Sequence, residues 1–387
     1  MRATDRLLAG AVDRVLAEAV DEGRVPGVVA AVSSPAACRY LSAFGLAASD
    51  PERAMQTDTV FRIASMTKLV TSIGVMMLVD EGSVELDATL GDYVPGFRQP
   101  EVLLELDAAS GRFTTRPAAR EATLRELLSH TAGYGYWWLH EPLRLVSGDR
   151  PDLAHPPFLI ADPGTGFAYS TSTDVIGLLF EPVTGQSLDT FLAERIFAPL
   201  GMVDTGFRRP AARARLARVH RRSGAGFRQL PQEEKDNEVS GGTGLFSTAG
   251  DYSRLLRCLL SGGEQDGARI LSAGAAAAIG RNQIGEFRTG VQRTAFAERS
   301  DDLVFLDGSQ KFGFGVMVET VPHAGKRGIG SYGWGGIVNT YFWVDPGREL
   351  AAVLLLQLAP FACGPCIDLL DAFERAVYET MDQEAWR

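Results

Sequence analysis

Apolar and polar positions along the chain change rhythm several times, and each rhythm predicts an element. Near the N-terminus Leu8, Ala11, Val12, Val15, Leu16 and Ala19 recur at helical spacing between charged positions, which predicts an amphipathic helix. Apolar runs at 25–32 and 40–45 then predict two strands joined by a turn. From 68 to 79 the apolar side chains at 69, 73, 76 and 77 share one face of a second helix. The stretch from 82 to 240 reads as loop-rich and helical, with helices over 123–128 and 188–194; further helices are expected near 248–261 and 271–280. The rhythm then becomes strand-like at 312–318 and 339–344, and Asp345-Pro346-Gly347 turns the chain into a third run at 350–356. A last helix is expected over 368–380.

Strands at both ends and a helical middle imply one sheet assembled from distant segments. The expected division is a sheet domain from 1–81 and 241–387, with 82–240 as a mainly helical insertion and an active site between the two. At 387 residues and 45% hydrophobic, the chain can bury a large core. Its formal charge of −10 argues against nucleic acid or an anionic membrane as a partner of the whole surface. The first residues are interrupted by charge too often for a signal peptide, and no stretch approaches a membrane span, so the expected location is cytoplasmic.

Candidate chemistry starts at Ser65-Met66-Thr67-Lys68, where an extended run gives way to the second helix. Ser65 would stand in the first turn, with Lys68 three residues on and facing the same side. The helix N-terminus offers free N–H groups to a developing oxyanion. A serine hydroxyl needs a neighbour to take its proton, and a lysine amine desolvated among apolar residues can do so. On its own the tetrapeptide also fits a capping serine beside a surface lysine.

Other segments narrow the choice. Phe167-Ala168-Tyr169-Ser170-Thr171-Ser172-Thr173-Asp174 resembles the tyrosine motif, and Gly330-Ser331-Tyr332-Gly333-Trp334-Gly335-Gly336-Ile337 the third motif, of the penicillin-recognising serine hydrolases. Supporting phrases are Leu127-Leu128-Ser129-His130-Thr131-Ala132-Gly133, Pro199-Leu200-Gly201-Met202 and Gly241-Gly242-Thr243-Gly244. In order and over nearly the whole chain, these resemble the class C β-lactamases and penicillin-binding proteins. The resemblance implies an α+β fold, an antiparallel sheet flanked by helices with a mainly helical insertion. Two departures indicate the branch. Trp334 stands where β-lactamases and peptidases carry a Lys or His for the substrate carboxylate, and Thr171 replaces an asparagine. Trp-Gly-Gly in this place resembles the family VIII carboxylesterases, so an esterase acting on a small-molecule ester is expected first. A β-lactamase or D-alanyl peptidase-like amidohydrolase, or an acyltransferase on the same scaffold, is the alternative.

Carried over residue by residue, the resemblance makes Ser65 the nucleophile and gives the proton traffic to Lys68 and Tyr169. Free phenol and ammonium both titrate near ~10, so one must be shifted to act as base, and the sequence leaves open which. Backbone N–H groups of Ser65 and Ile337 would form the oxyanion hole, with Gly335 and Gly336 permitting close approach. The aromatic run Tyr134-Gly135-Tyr136-Trp137-Trp138 would join Trp334 as an apolar wall for the substrate, although four large rings can equally be core.

Rival signals are weaker. Cys363-Gly364-Pro365-Cys366 between a strand and a helix matches a dithiol motif, yet nothing nearby supplies the small βαβ unit of thioredoxin-like proteins. Cys38 and Cys258 read as buried apolar residues. The arginines at 208, 209, 213, 215, 218, 221, 222 and 228 precede Glu233, Glu234, Asp236 and Glu238 and read as a salt-bridged surface. No metal or cofactor is expected: there is no zinc-spaced histidine pair, no Gly-x-Ser-x-Gly elbow, and no phosphate-binding loop. His130 reads as structural.

Overall fold

Strand Gly27–Ser33, from the start of the chain, lies between Cys38–Ser49 and Leu350–Leu355 and pairs antiparallel with both; Val29 faces Leu355 on one side and Ala43 on the other. This contact between distant segments organises the computed structural model, which describes residues 2–147, 158–208, 215–224, 226–231, 238–303 and 308–383. The main sheet has eight strands in the order Lys311–Phe312, Met317–Val318, Tyr332–Gly336, Thr340–Asp345, Leu350–Leu355, Gly27–Ser33, Cys38–Ser49 and Glu52–Ala54. Every neighbouring pair is antiparallel. Gly27–Ser33, Thr340–Asp345 and Leu350–Leu355 are buried at every position, so both faces of the central sheet are covered; their continuous apolar runs, rather than alternation, reflect this.

Helix Ala3–Asp21 buries Leu8, Val12, Leu16 and Ala19, while Ala11 and Val15 are only partly covered. It packs against the last helix, Gly364–Gln383, and against the adjoining strands. Burying such side chains contributes roughly 1.5–3 kcal/mol each, more than a helix of this length gains from propensity. Helices Ala249–Leu260 and Ala273–Ile279 match the expected pair, and each starts on a side-chain cap, Thr248 and Ser272.

Helix Thr67–Asp80 departs from its expected one-sided pattern. Every residue from Thr67 to Leu78 is buried. Helix Leu188–Leu192 packs against it, and a Cβ on Gly74 would sit 2.9 Å from the Phe180 ring. The helix is therefore central, and its polar side chains point into the molecule. The strand expected over 312–318 is instead a hairpin of two short strands, Lys311–Phe312 and Met317–Val318, with Gly315 left-handed at φ +73°. Gly313 and Gly315 within that run were the signal for a turn. The middle of the chain contains the expected helices Leu124–Leu128 and Leu188–Leu192. It also contains a hairpin, Glu101–Asp107 with Arg112–Pro117, that the periodicity did not suggest. Among the described residues, no helix is long and apolar enough to cross a membrane.

Candidate active site

Ser65 lies in a 3-10 turn, Ala64–Met66, that runs directly into helix Thr67–Asp80. The turn is held on several sides. Strand Phe61–Arg62 pairs with Phe246–Ser247, the Tyr252 hydroxyl donates to Met66 O at 2.9 Å, and Thr71 Oγ1 donates to Gly241 O at 2.7 Å. Ala64 adopts a left-handed φ of +44°, unfavourable for a residue with a Cβ, and this reverses the chain so that Ser65 is half-buried at the helix start.

Lys68 is completely buried, and its Nζ has three neighbours: Gly242 O at 2.7 Å, the Tyr136 hydroxyl at 2.8 Å and Ser65 Oγ at 3.4 Å. The first two are hydrogen bonds of ordinary length, whereas the third is long. The phenol bonded to Lys68 is thus Tyr136. Tyr169 is also close, with its ring centre 5.2 Å from Nζ, but its hydroxyl accepts a 3.0 Å hydrogen bond from Trp334 Nε1. Tyr169 and Trp334 are both buried, at 1% and 4% exposure, with ring centres 4.8 Å apart. Trp334 accordingly backs Tyr169 and does not line the cleft over Ser65.

That cleft has a volume of about 100 Å³, and Tyr136, Trp137, Trp138 and Ile337 line it together with Ser65. Tyr134 is buried and lies outside the lining. Gly335 and Gly336 serve the packing of strand Tyr332–Gly336. A Cβ on Gly336 would collide with the Ile63 carbonyl and Thr340 Oγ1, and one on Gly335 would stand 2.8 Å from the Tyr341 ring. The close approach permitted by the two glycines is therefore to the nucleophile turn and a neighbouring strand.

The sequence reading missed two groups. Asp174, at the start of a short helix Ser172–Ile176, accepts from the Tyr136 hydroxyl at 3.4 Å, from Gly242 N at 3.2 Å and from Ser240 Oγ. A carboxylate among otherwise uncharged positions 170–177 was the available signal. The second is the Gly242 carbonyl. Gly242 itself is required, because a Cβ there would overlap the Asp174 carboxylate. Burial first, and then the Asp174 charge, hold the Tyr136 hydroxyl well above the ordinary phenol range, so Tyr136 remains protonated at neutral pH. His130 is buried beside Tyr169 at 4.9 Å between ring centres, with Nδ1 3.0 Å from Ser170 Oγ. Burial, and secondarily the Lys68 charge, keep it well below the usual histidine range and therefore neutral.

The rival signals resolve differently. Cys363 is half-buried and Cys366 fully buried; both are free thiols. Their mutual hydrogen bond lowers Cys363 and raises Cys366. Cys258 is buried as expected, whereas Cys38 is exposed. Of the arginine run, Arg215 pairs with Asp204 at 2.7 Å and Asp58 at 3.2 Å, and Arg221 approaches Glu298. Arg209, Arg213, Glu233, Glu234 and Asp236 lie outside the described residues.

Residues 12–365 match the Beta-lactamase family. Monacolin J acid methylbutanoyltransferase of Aspergillus terreus is 31% identical over 353 residues, spanning 85% of this chain and 84% of the relative. Esterase EstB of Burkholderia gladioli is 29% identical over 395 residues, spanning 91% of each chain. A variant of simvastatin synthase from Aspergillus terreus has a similar structure, with a TM-score of 0.83 at 27% identity over 97% of this chain and 100% of the other. The match covers the sheet strands, the Ser65 turn and the Lys68 helix alike, and the chain therefore belongs to the Beta-lactamase family of serine hydrolases, with their α+β fold.

Proposed function

We propose that this protein is a serine esterase that cleaves small carboxylic esters through an acyl-enzyme on Ser65. The observation that carries this reading is the environment of Lys68. A neutral amine has two N–H groups and one lone pair. Gly242 O and the Tyr136 hydroxyl accept from Lys68 Nζ, and Ser65 Oγ is its third neighbour at 3.4 Å, so an amine that has given up one proton would have its lone pair on the Ser65 side. In this form Lys68 is the general base, and its long contact with Ser65 shortens when substrate is bound.

Ser65 Oγ attacks the ester carbonyl while its proton passes to Lys68. The tetrahedral oxyanion is held by the backbone N–H groups of Ser65 and Ile337. The C–O bond to the alcohol breaks, and the departing alkoxide takes a proton from Tyr169, which is restored from Lys68. The Trp334 indole donates to the Tyr169 oxygen, so the phenol O–H is not spent on that contact. Water then attacks the acyl group, giving its proton to Lys68, and Ser65 leaves with that proton. Tyr136 and Asp174 position Lys68, and Trp137 and Trp138 wall the acyl or alcohol group. In the proposed division, residues 82–240 supply Tyr136, Trp137, Trp138 and Tyr169, and the flanking segments supply Ser65, Lys68 and Ile337.

A second reading, acyl transfer to an alcohol, is favoured by the 31% identity to a methylbutanoyltransferase. It uses the same residues, with the alcohol in place of water. An anionic β-lactam would lack the cation expected at position 334, where a buried Trp backs Tyr169, which disfavours that substrate.

The test is intact mass after brief exposure to p-nitrophenyl butyrate, with nitrophenol release followed in wild type and Ser65→Ala. Release confined to wild type, with the butyryl mass mapping to Ser65, supports the reading. Equal release from both proteins rejects it. Adding an alcohol and measuring ester product distinguishes transfer from hydrolysis.

A further inference from the structure

Beside the Ser65 cleft lies a larger cavity of about 340 Å³. The two share Arg299 and Ile337 in their walls, so a substrate held at Ser65 has an open neighbour on the side of the presumed oxyanion hole. Among the described residues, the ionisable groups lining this cavity are Arg62, Arg218, Arg221, Arg299 and Glu298, and Arg62 and Arg299 have partners of their own. In a chain of formal charge −10 this is a local reversal of sign. Leu216, Val219, Leu230 and Val338 supply apolar surface between the charges.

The arginines stand on firmly placed backbone. Arg62 is on the strand leading to Ser65, and its carbonyl accepts from Gln357 Nε2 at 3.0 Å. Arg218 N donates to Ala47 O at 2.7 Å, and strand His220–Ser223, which holds Arg221, pairs parallel with Leu358–Ala359. Arg221 donates to the Glu298 backbone carbonyl at 2.9 Å, with the Glu298 carboxylate at 3.8 Å, and Arg218 donates to Leu230 O at 3.3 Å. The Leu230 carbonyl orients the Arg218 guanidinium without neutralising it, while Arg221 keeps a loose 3.8 Å ion pair with Glu298. Arg215, on the same segment but outside the cavity, instead has its charge met by Asp204 through two bonds of 2.7–2.8 Å. Guanidiniums oriented in this way match the bidentate geometry of a carboxylate or phosphate.

We propose that this cavity is an anion-binding subsite, and that the natural substrate carries a carboxylate or phosphate on a short apolar arm, seated against Arg218 and Arg221 while its reacting carbonyl lies at Ser65. The second half of this inference rests on the acyl-Ser65 reading; the subsite itself does not. Trp334 removes a cation from the third motif, and the arginine cavity supplies positive charge on a different wall.

The test is calorimetric binding to the Ser65→Ala protein of three probes with equal alkyl chains: hexanoate, hexyl phosphate and hexanol. At least one anion is expected to bind tenfold or more tightly than hexanol, and the tighter of the two identifies carboxylate or phosphate as the group recognised. That preference should disappear in Arg218→Gln/Arg221→Gln and persist in Arg215→Gln. Single Arg218→Lys and Arg221→Lys variants, which keep the charge but lose the fork, should each reduce it and provide a reading if the double variant fails to fold. Equal binding of all three probes, or a preference untouched by these substitutions, overturns the subsite. Nitrophenol release by wild type is measured in parallel: its absence with anion binding intact rejects the ester reading alone, and its presence without anion preference rejects the subsite alone.

Discussion

Lys68 donates to the Tyr136 hydroxyl at 2.8 Å, while the Tyr169 hydroxyl, on the other ring beside it, is bonded to Trp334. Two phenols thus flank one amine, and their roles separate by what each hydroxyl touches. In the proposed mechanism, removing the Tyr169 hydroxyl removes the proton donor to the leaving group, and removing that of Tyr136 removes only a holder of the amine. Tyr169→Phe is expected to lower kcat by roughly 10²–10⁴-fold, the usual worth of a positioned acid or base. Tyr136→Phe is expected to lower it less, with a changed pH profile as Lys68 loses an acceptor. Steady-state rates on p-nitrophenyl butyrate across pH 6–9 check both; a larger loss in Tyr136→Phe would exchange the two assignments.

Asp174 collects three donors, the Tyr136 hydroxyl, Ser240 Oγ and Gly242 N. Asp174→Ala leaves the buried Gly242 N–H without this acceptor and frees the loop that gives Lys68 its carbonyl. Gly242 N–H keeps its 3.3 Å bond to Ser240 Oγ, so the loss is that of one hydrogen bond to a charged group, about 1.5–3 kcal/mol. The expected result is a lower urea midpoint and a fall in kcat greater than the change in KM. Asp174→Asn, which preserves the shape and one acceptor oxygen, should recover part of both.

Gly336→Ala places a methyl group against the Ile63 carbonyl and Thr340 Oγ1. Both belong to segments that position Ser65 and Ile337, so neither can yield without moving the proposed oxyanion hole. Activity should fall by at least 10²-fold even in protein that remains folded by circular dichroism. Wild-type rates in this variant would show that strand Tyr332–Gly336 does not set the geometry.

His130 is buried and His140 half-buried, both as neutral rings: burial carries His140 down to about 4, and burial with the Lys68 charge holds His130 well below its ordinary range. In the unfolded chain both titrate near ~6.5. Their folded values are depressed, so the unfolded state binds the extra protons in acid. This stability is fully present above about pH 6.5 and is lost as the pH falls from there towards 4, by up to about 1.4 kcal/mol per pH unit for each ring. Urea midpoints measured at pH 7.5, 6 and 5 should decrease in that order, and His140→Gln should flatten the decrease.

Much of this molecule was legible where the information is local. The apolar runs at 339–344 and 350–356 lie in strands Thr340–Asp345 and Leu350–Leu355, and the four-residue spacing of Leu8, Val12 and Leu16 gave the first helix its buried face. Lys68 falls beside Ser65 because positions three apart share a helix face. The pairing of Lys68 with Tyr136 was not legible: 68 residues separate them, and no spacing rule joins a helix to a loop at that distance. Asp174 was inside a quoted motif, but an acid at a helix start is usually read as favouring the helix dipole. Trp334 looked like a wall of the cleft because a large ring in a substrate motif suggests contact. Its indole N–H needed a partner when buried, found it in Tyr169, and so turned away.

The pairing of Val29 with Leu355 also determines when this enzyme can come into being. One neighbour of strand Gly27–Ser33 is synthesised immediately after it, but the other follows roughly 320 residues later. At about 5–20 residues per second that is a wait of roughly 15–60 s, during which an all-apolar strand has an uncovered edge. The nascent chain is thus most prone to aggregate before its last strands emerge, and expression yield should depend more on synthesis rate and temperature than the finished protein's stability suggests. Ser65 is made early, but Ile337 arrives only with those late strands, so a prematurely terminated chain holds the proposed nucleophile without half of the proposed oxyanion hole.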